Sequence, residues 1–175
     1  MSKSVAYTTI TFRRDSCLDI LVWREENIPT EFLYYSRDSW KYTNGFVEHL
    51  HLTVFYGLDS NRLSFEDESN MIKDIIIPES LEISSIGTFD IDENICCLYL
   101  GIADEDSHKL QKVRSQVLVY PHDDKYLSQN FIPHISLAFL NRSKPGFDNF
   151  LDILQKKDNY PRKIFTEKLN LIRKS

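Results

Sequence analysis

Two stretches of the chain, residues 50–55 (LHLTVF) and 133–139 (PHISLAF), repeat one pattern. Each stretch is apolar, and each carries one histidine with a hydroxyl residue two positions later. Because successive side chains of a β-strand point to opposite faces, the histidine and the hydroxyl share one face of the strand. The pattern predicts two similar strands, each with a polar face on an open cleft and an apolar face packed against helices.

The polar faces of these two strands carry His51 and Thr53 on one and His134 and Ser136 on the other. A neutral imidazole can take a proton from an attacking hydroxyl or water, and a protonated imidazole can give one to a leaving oxygen. Histidine suits both roles because its unperturbed pKa is about 6.5. The two hydroxyls can donate hydrogen bonds to phosphate oxygens. This set predicts phosphoryl chemistry that needs neither a metal nor another cofactor.

The remaining histidines offer simpler interpretations. One histidine in a strand is more simply a structural residue, but two matching triplets among five histidines argue against coincidence. His49 and His51 could form a metal pair on one strand face, yet no third ligand follows with matching spacing. His108 lies at the start of a predicted helix and His122 in a polar loop, and both are predicted to be solvated.

Composition excludes several classes of protein. The chain has 175 residues, of which 42% are hydrophobic, and this size favours a single domain over residues 1–175. A net charge of −5 disfavours binding to long duplex nucleic acid but permits a small nucleotide. No apolar run reaches the roughly 20 residues of a membrane span, and no signal peptide is evident, so we expect a cytoplasmic location. Cys96 and Cys97 are adjacent in an apolar run and are predicted to be buried in a strand.

The order of elements predicts an α+β fold with a largely antiparallel sheet backed by helices. Asp106 and Ser107 are predicted to cap a helix. The stretch 31–46 has no clear assignment, and 120–130 is predicted to be a loop. Predicted strands are 5–12, 16–22, 50–56, 81–86, 95–102, 131–140 and 165–172, and predicted helices lie within 61–77, 110–118 and 147–157.

Because it contains both triplets, the sequence resembles the 2H phosphoesterase superfamily, which is defined by two His-x-Ser/Thr motifs. The resemblance covers the whole chain. It implies a two-lobed fold with pseudo-twofold symmetry, in which mainly antiparallel sheets form a central cleft and helices lie outside. It also implies that His51, Thr53, His134 and Ser136 are the catalytic residues.

The residues around the motifs are similar to those of one branch of the superfamily. Residues 51–58 (HLTVFYGL) and 131–140 (FIPHISLAFL) look like the versions found in phage members. This implies hydrolysis of a cyclic or 2′,5′/3′,5′-linked oligonucleotide signal, as in anti-CBASS enzymes that defeat bacterial immunity. Two alternatives stay open: an RNA-end processing enzyme that acts on 2′,3′-cyclic phosphates or 2′-5′ bonds, and an inactive nucleotide-binding module.

Aromatic residues near the motifs are candidates for contact with the bases of a substrate. Tyr7, Tyr56 and Phe139 are predicted to be substrate-binding residues, because an aromatic ring can stack on a base. Each could instead belong to the core. The segment Trp40 to Phe46, which includes Tyr42, could form a lid over the cleft or cover the core. The sequence leaves the oligomeric state open.

Overall fold

The computed structural model describes residues 4–36, 45–127 and 130–174, and the following elements lie within these residues. The strands are β1 (Val5–Phe12), β2 (His51–Asp59), β3 (Ser80–Asp90), β4 (Ile95–Ile102), β5 (His134–Asn141) and β6 (Lys163–Arg173). The helices are α1 (Arg14–Asn27), α2 (Phe65–Asp74), α3 (Asp104–Val117) and α4 (Phe147–Gln155), with short 3₁₀ turns at Thr30–Phe32 and Asp124–Tyr126.

The six strands form one antiparallel sheet in the order β2-β1-β6-β3-β4-β5. We call β2-β1-β6 with α1 lobe one, and β3-β4-β5 with α3 lobe two. A short pairing of β3 with β6, from Ser80 opposite Phe165 to Glu82 opposite Lys163, joins the lobes. The sheet is not closed, but its two outermost strands, β2 and β5, come within 8 Å of each other between Cα atoms. The sheet therefore curves until its two motif strands approach each other.

The two lobes repeat each other in detail. β1 and β4 have 8 residues each, and α1 and α3 have 14 residues each. In lobe one the Ser16 hydroxyl accepts a hydrogen bond from the backbone N–H of Phe165 at 2.8 Å. In lobe two the Asp106 carboxylate, at the same place on its helix, accepts one from the backbone N–H of Glu82 at 2.6 Å. These matching bonds agree with the pseudo-twofold symmetry that the resemblance implies.

The apolar faces of both halves of the sheet form one core with the helices. Leu52 and Ile135, the residues between histidine and hydroxyl in each motif, are fully buried, as are Ile20 on α1 and Leu110 on α3. Burying such a side chain stabilises the fold by about 1.5–3 kcal/mol. The motif strands are thus anchored from behind, and their polar faces are left to the cleft.

The prediction of a strand at 16–22 is wrong, because these residues belong to helix α1. The alternation of Leu18, Ile20 and Val22 indicated a strand. In the helix, however, Leu18 and Val22 are exposed, whereas Ile20 and Trp23 are buried. Their spacing of three residues matches the helical period of 3.6, and the tertiary contact decides the outcome.

The predicted helix cap at Asp106 and Ser107 is also wrong, because α3 begins at Asp104 and Ala103 precedes it. The Asp106 side chain is buried in the first turn. Its carboxylate binds the backbone of Glu82 and the ammonium of Lys109. It therefore ties the helix to β3 and does not cap it.

The outer edges of β2 and β5 are covered by two short edge segments, 45–47 and 121–123. Segment 45–47 pairs with β5 through the bonds Phe139 N to Gly45 O at 2.8 Å and Val47 N to Leu137 O at 2.9 Å. Segment 121–123 pairs with β2 through Asp59 N to Pro121 O and Asp123 N to Gly57 O, both at 2.9 Å. Each edge segment precedes one motif strand and covers the other.

Phe46, in the first of these segments, packs on the core. The guanidinium carbon of Arg24 lies 4.3 Å from the centre of its ring. Phe46 thus covers the core, which was one of the two alternatives for this stretch. Trp40 and Tyr42 lie outside the described residues.

No helix in the described part of the chain is long and apolar enough to cross a membrane.

Candidate active site

Strand register places both parts of the first motif on one face of lobe one. His51 lies opposite Thr11 of β1, and Thr53 lies opposite Thr9. Residues directly opposite each other on neighbouring strands share a face of the sheet. Both motif side chains are partly buried, whereas Leu52 between them is fully buried on the other face.

The second motif has the same arrangement in lobe two. His134 lies opposite Gly101 of β4, and Ser136 lies opposite Tyr99. β2 and β5 come within 8 Å of each other between Cα atoms, and His51 is close enough to His134 to lower its pKa. The two motif faces therefore lie near each other. The structure therefore brings together the four residues that the sequence predicts to be catalytic.

A β-bulge follows each motif and turns one aromatic residue toward the cleft. Tyr56 and Phe139 each lie five positions after the motif histidine, so strict alternation would place them on the opposite face. The register shifts by one residue between Thr53 and Phe55, and again between Ser136 and Ala138. These bulges bring Tyr56 and Phe139 onto the histidine face.

Each motif imidazole is oriented by the backbone just before its strand. The Nδ1 atom of His51 lies 2.9 Å from the carbonyl oxygen of His49. The Nδ1 atom of His134 lies 2.7 Å from the carbonyl oxygen of Ile132. A carbonyl oxygen only accepts, so Nδ1–H must be the donor in both bonds. This fixes the tautomer and leaves Nε2 of each ring for proton transfer.

His134 lies in an apolar environment. Its ring centre is 4.5 Å from that of Phe89 and 5.3 Å from that of Tyr99. Burial lowers the pKa of His134 below its usual value of 6.5, the Ile132 carbonyl acts in the opposite direction, and the nearby charge of His51 lowers the pKa further. His134 is therefore held neutral near pH 7, and its coupling to His51 agrees with two imidazoles that share one cleft.

The two motif hydroxyls differ in their partners. The Thr53 hydroxyl makes no hydrogen bond to the described part of the chain. The Ser136 oxygen accepts a weak bond from the Cys97 thiol at a distance of 3.4 Å. Burial raises the pKa of Cys97, and it raises the pKa of Cys96 to about 11, so both thiols remain protonated. The buried positions of both cysteines confirm the sequence prediction.

A cluster of three tyrosines lies next to the first motif. The ring centres of Tyr7 and Tyr56 are 5.8 Å apart, and those of Tyr56 and Tyr126 are 5.3 Å apart. Lysine ammonium groups lie near two rings, with Lys174 5.1 Å from the Tyr56 ring centre and Lys125 4.7 Å from that of Tyr126. We call these five residues the tyrosine platform. It offers stacking surface and positive charge to one side of the cleft.

Sequence reasoning missed Tyr126, because it lies in a segment predicted to be a plain loop. The signal was Gly57, which has a φ of +126° in the middle of β2. A Cβ atom at Gly57 would lie 2.3 Å from the Tyr126 ring, so only glycine leaves room for that side chain.

The other histidines lie apart from this chemistry. His49 and His108 are exposed. His122 was predicted to be solvated but is only partly exposed, with its ring 6.0 Å from that of Phe55 and Nε2 3.5 Å from Asp124. It belongs to the edge segment on β2. Among the described residues, no group of three histidine, cysteine or acidic side chains is placed to hold a metal ion.

No protein-family model matches the chain, and no curated protein matches it at a significant level of sequence similarity. Solved structures do share its fold. Usb1 of Kluyveromyces marxianus superposes with a TM-score of 0.60 and 14% identity over 98% of both chains. The structure of the same Usb1 with uridine monophosphate superposes with a TM-score of 0.57 and 13% identity, again over 98% of both chains. LigT of E. coli superposes with a TM-score of 0.53 and 15% identity over 99% of this chain and 90% of LigT. These similarities confirm the predicted α+β, two-lobed fold.

Proposed function

We propose that this chain is a metal-independent phosphodiesterase that acts on a short nucleotide substrate. The observation that carries the proposal is the pair of imidazoles, one from each lobe, each anchored through Nδ1 to a backbone carbonyl and facing the same cleft. Binding alone would not require two histidines held in one tautomer. The hydroxyls beside them suit contact with the non-bridging oxygens of a phosphate.

The environments of the two histidines support different roles. His134 is held neutral by burial, so its Nε2 accepts the proton of the attacking water or ribose hydroxyl as the new P–O bond forms. His51 in its protonated form gives a proton to the leaving oxygen as the old P–O bond breaks. Thr53 and Ser136 donate to the phosphate oxygens, where negative charge is greatest in the transition state.

For the substrate, we favour a cyclic or 2′,5′/3′,5′-linked oligonucleotide signal, cleaved in the host cytoplasm as a viral defence against nucleotide-based immunity. The phage-like residues around both motifs support this choice. The tyrosine platform also supports it, because Tyr7 and Tyr56 could stack on a base on one side of the scissile phosphate. Phe139 would supply a ring on the opposite side. The net charge of −5 weighs against a long duplex partner.

A second candidate is RNA-end processing, in which a 2′,3′-cyclic phosphate is opened or a 2′-5′ bond is cleaved. The similarity in fold to Usb1 and LigT favours it, and one Usb1 structure holds uridine monophosphate. The proposed chemistry is the same in both candidates, and only the groups on either side of the phosphate differ.

The test is a substrate panel with purified protein in EDTA, with products separated by chromatography. The panel contains cyclic dinucleotides, cyclic trinucleotides, 2′,5′-oligoadenylate and 2′,3′-cyclic mononucleotides. We expect turnover of at least one class in EDTA. Turnover of the 2′,3′-cyclic mononucleotides alone would favour RNA-end processing. Activity lost in EDTA and restored by a divalent metal would refute the two-histidine mechanism, and binding without any turnover would indicate a nucleotide-binding module.

A further inference from the structure

A cavity of about 270 Å³ opens beside His134 and is not explained by the proton-transfer chemistry. Among its lining residues, Tyr99 is the ring neighbour of that histidine and Gly101 is its partner on β4. The volume is just below the roughly 300–1,000 Å³ typical of pockets for drug-sized ligands, so it suits a single base. The full lining consists of Ser85, Tyr99, Gly101, Ile102, Asp104, Ser107, Phe131, Ile132 and Pro133.

The cavity exists because two positions of lobe two carry small residues. Gly101 lies opposite both His134 and Ser85. The Ser85 oxygen lies only 2.3 Å from where a Cβ of Gly101 would be, so the serine uses the space that a side chain would need. At the equivalent positions of lobe one, Thr11 lies opposite both His51 and Lys168. Lobe one thus has a threonine and a lysine where lobe two has a hollow.

The polar groups of the cavity are chiefly hydrogen-bond acceptors. Asp104 is exposed and contributes a carboxylate. The Ser107 hydroxyl donates its hydrogen to the Ile102 carbonyl at 3.2 Å, so its oxygen can only accept from a ligand. Tyr99, Phe131 and Pro133 supply apolar walls. A carboxylate repels phosphate, so the cavity suits a flat, uncharged group that carries N–H donors.

We propose that this cavity is the subsite for the nucleobase next to the scissile phosphate, and that Asp104 gives it a preference for guanine. Guanine presents two adjacent donors, N1–H and the N2 amino group, which match the two oxygens of a carboxylate. Adenine and cytosine offer one amino group, and uracil offers only one N3–H. The base therefore lies in lobe two, and further phosphates of the substrate extend toward the lysines of lobe one.

This inference rests on the proposed function, but binding can test it without turnover. Calorimetric titration with the four nucleoside 3′-monophosphates, for the wild-type chain and for Asp104→Asn, compares the bases directly. We expect 3′-GMP to bind about tenfold more tightly than 3′-UMP, a ratio typical of one bidentate base contact. Asp104→Asn should bring this ratio close to one while binding of 3′-UMP changes by less than about twofold.

Two further variants separate recognition from nonspecific effects. Glu105→Gln removes the same charge from the same helical turn, but Glu105 pairs with Lys109 and does not line the cavity, so the guanine preference should remain. Ser85→Ile fills the hollow from an exposed strand position and should weaken binding of all four nucleotides. Equal binding of the four bases, or a guanine preference that survives Asp104→Asn, would overturn the subsite. A guanine preference without turnover of any substrate would instead overturn the proposed function and leave the subsite standing.

Discussion

Lobe one and lobe two share a backbone but surround their histidines differently. In both, the imidazole is bound through Nδ1 to the carbonyl two residues earlier, and a bulge follows the hydroxyl residue. Around His51 the neighbouring strands carry Thr11 and Lys168, with the tyrosine platform nearby. Around His134 they carry Gly101 and Ser85, and the rings of Phe89 and Tyr99 enclose the imidazole.

Under the proposed function, this difference lets a symmetric scaffold perform an asymmetric reaction. Phosphodiester cleavage needs one base and one acid at the same time, so two equivalent histidines would compete for one proton. Repeated backbone geometry sets the positions of both imidazoles. The environment separates their roles, because the apolar side chains of lobe two hold His134 in the neutral form.

The largest expected effect comes from removing either histidine. His51→Ala and His134→Ala should each lower kcat by about 10³-fold, within the range of general acid–base catalysis. A p-nitrophenyl phosphodiester distinguishes the general acid from the general base, because its leaving group departs without a proton. His51→Ala should then recover most of its rate and His134→Ala should not, as measured by steady-state kinetics.

The control for this experiment is His108→Ala, which changes an exposed histidine on α3 and should leave kcat unchanged. Recovery of His134→Ala in place of His51→Ala would reverse the two roles. Equal recovery of both variants would mean that the lobes are equivalent in catalysis.

Removal of the hydroxyls should have a smaller and more symmetric effect. Thr53→Val and Ser136→Ala each take one donor from the phosphate, and losses of about 10²-fold in kcat are expected for a single transition-state donor. The KM of each variant should change less than its kcat. A normal kcat in either variant would remove that hydroxyl from the site.

A third test compares Arg24 with Arg114, which occupy the same position on α1 and α3. The buried Arg24 guanidinium donates to the carbonyls of Val47 at 2.7 Å and Leu137 at 3.3 Å. Arg114 lies over the rings of Phe55 and Phe131, at 5.5 and 5.3 Å from their centres. Arg24→Met should lower the free energy of unfolding by about 2 kcal/mol. The variant leaves the two carbonyl oxygens without their hydrogen-bond donor, but it also removes the cost of burying a charged guanidinium, which offsets part of the loss.

Arg114→Met should cost only about 1 kcal/mol, the scale of a cation–π contact. Chemical denaturation measures both variants. Since Leu137 follows Ser136, Arg24→Met should also lower kcat, whereas Arg114→Met should not. Equal losses of stability would show that the hydrogen bonds to the edge segment contribute nothing beyond the ring contacts.

The smallest effect is a change of stability with pH that belongs to lobe two. Above about pH 6.5 both the folded and the unfolded chain keep His134 neutral. As the pH falls, the unfolded chain takes up the proton first, because the pKa of His134 is lowered in the folded state. Stability is therefore lost progressively from about pH 6.5 down to the folded pKa.

Denaturation curves between pH 7 and about pH 5 should show this loss in the wild-type chain and less of it in His134→Gln. His108→Gln serves as the matched exposed control and should follow the wild type. Parallel curves for the wild type and His134→Gln would contradict the lowered pKa.

Much of this molecule could be predicted from the two triplets, because strand alternation and an apolar partner face are local properties. His51, Thr53, His134 and Ser136 lie where that alternation places them. Helix α1 was missed because Leu18, Ile20 and Val22 alternate like a strand, and only packing decides which of them is buried. Local periodicity carries no information on that contact.

The walls of the site depend on contacts between distant residues and could not be predicted in the same way. The bulges that turn Tyr56 and Phe139 into the cleft arise from pairing between strands. Tyr126 reaches the cleft through a turn after α3 that packs on Gly57. The hollow at Gly101 depends on Ser85 opposite it. None of these relations lies within a short window of sequence.

The two edge segments make the two halves of this single chain resemble the subunits of a domain-swapped dimer. The stretch before each motif strand crosses over and completes the sheet of the opposite half, as an arm does when two identical subunits swap it. Each half alone would leave the edge of its histidine strand open, and such an edge invites pairing with other chains. We therefore expect the chain to self-associate when either edge segment is prevented from pairing with the strand that it covers.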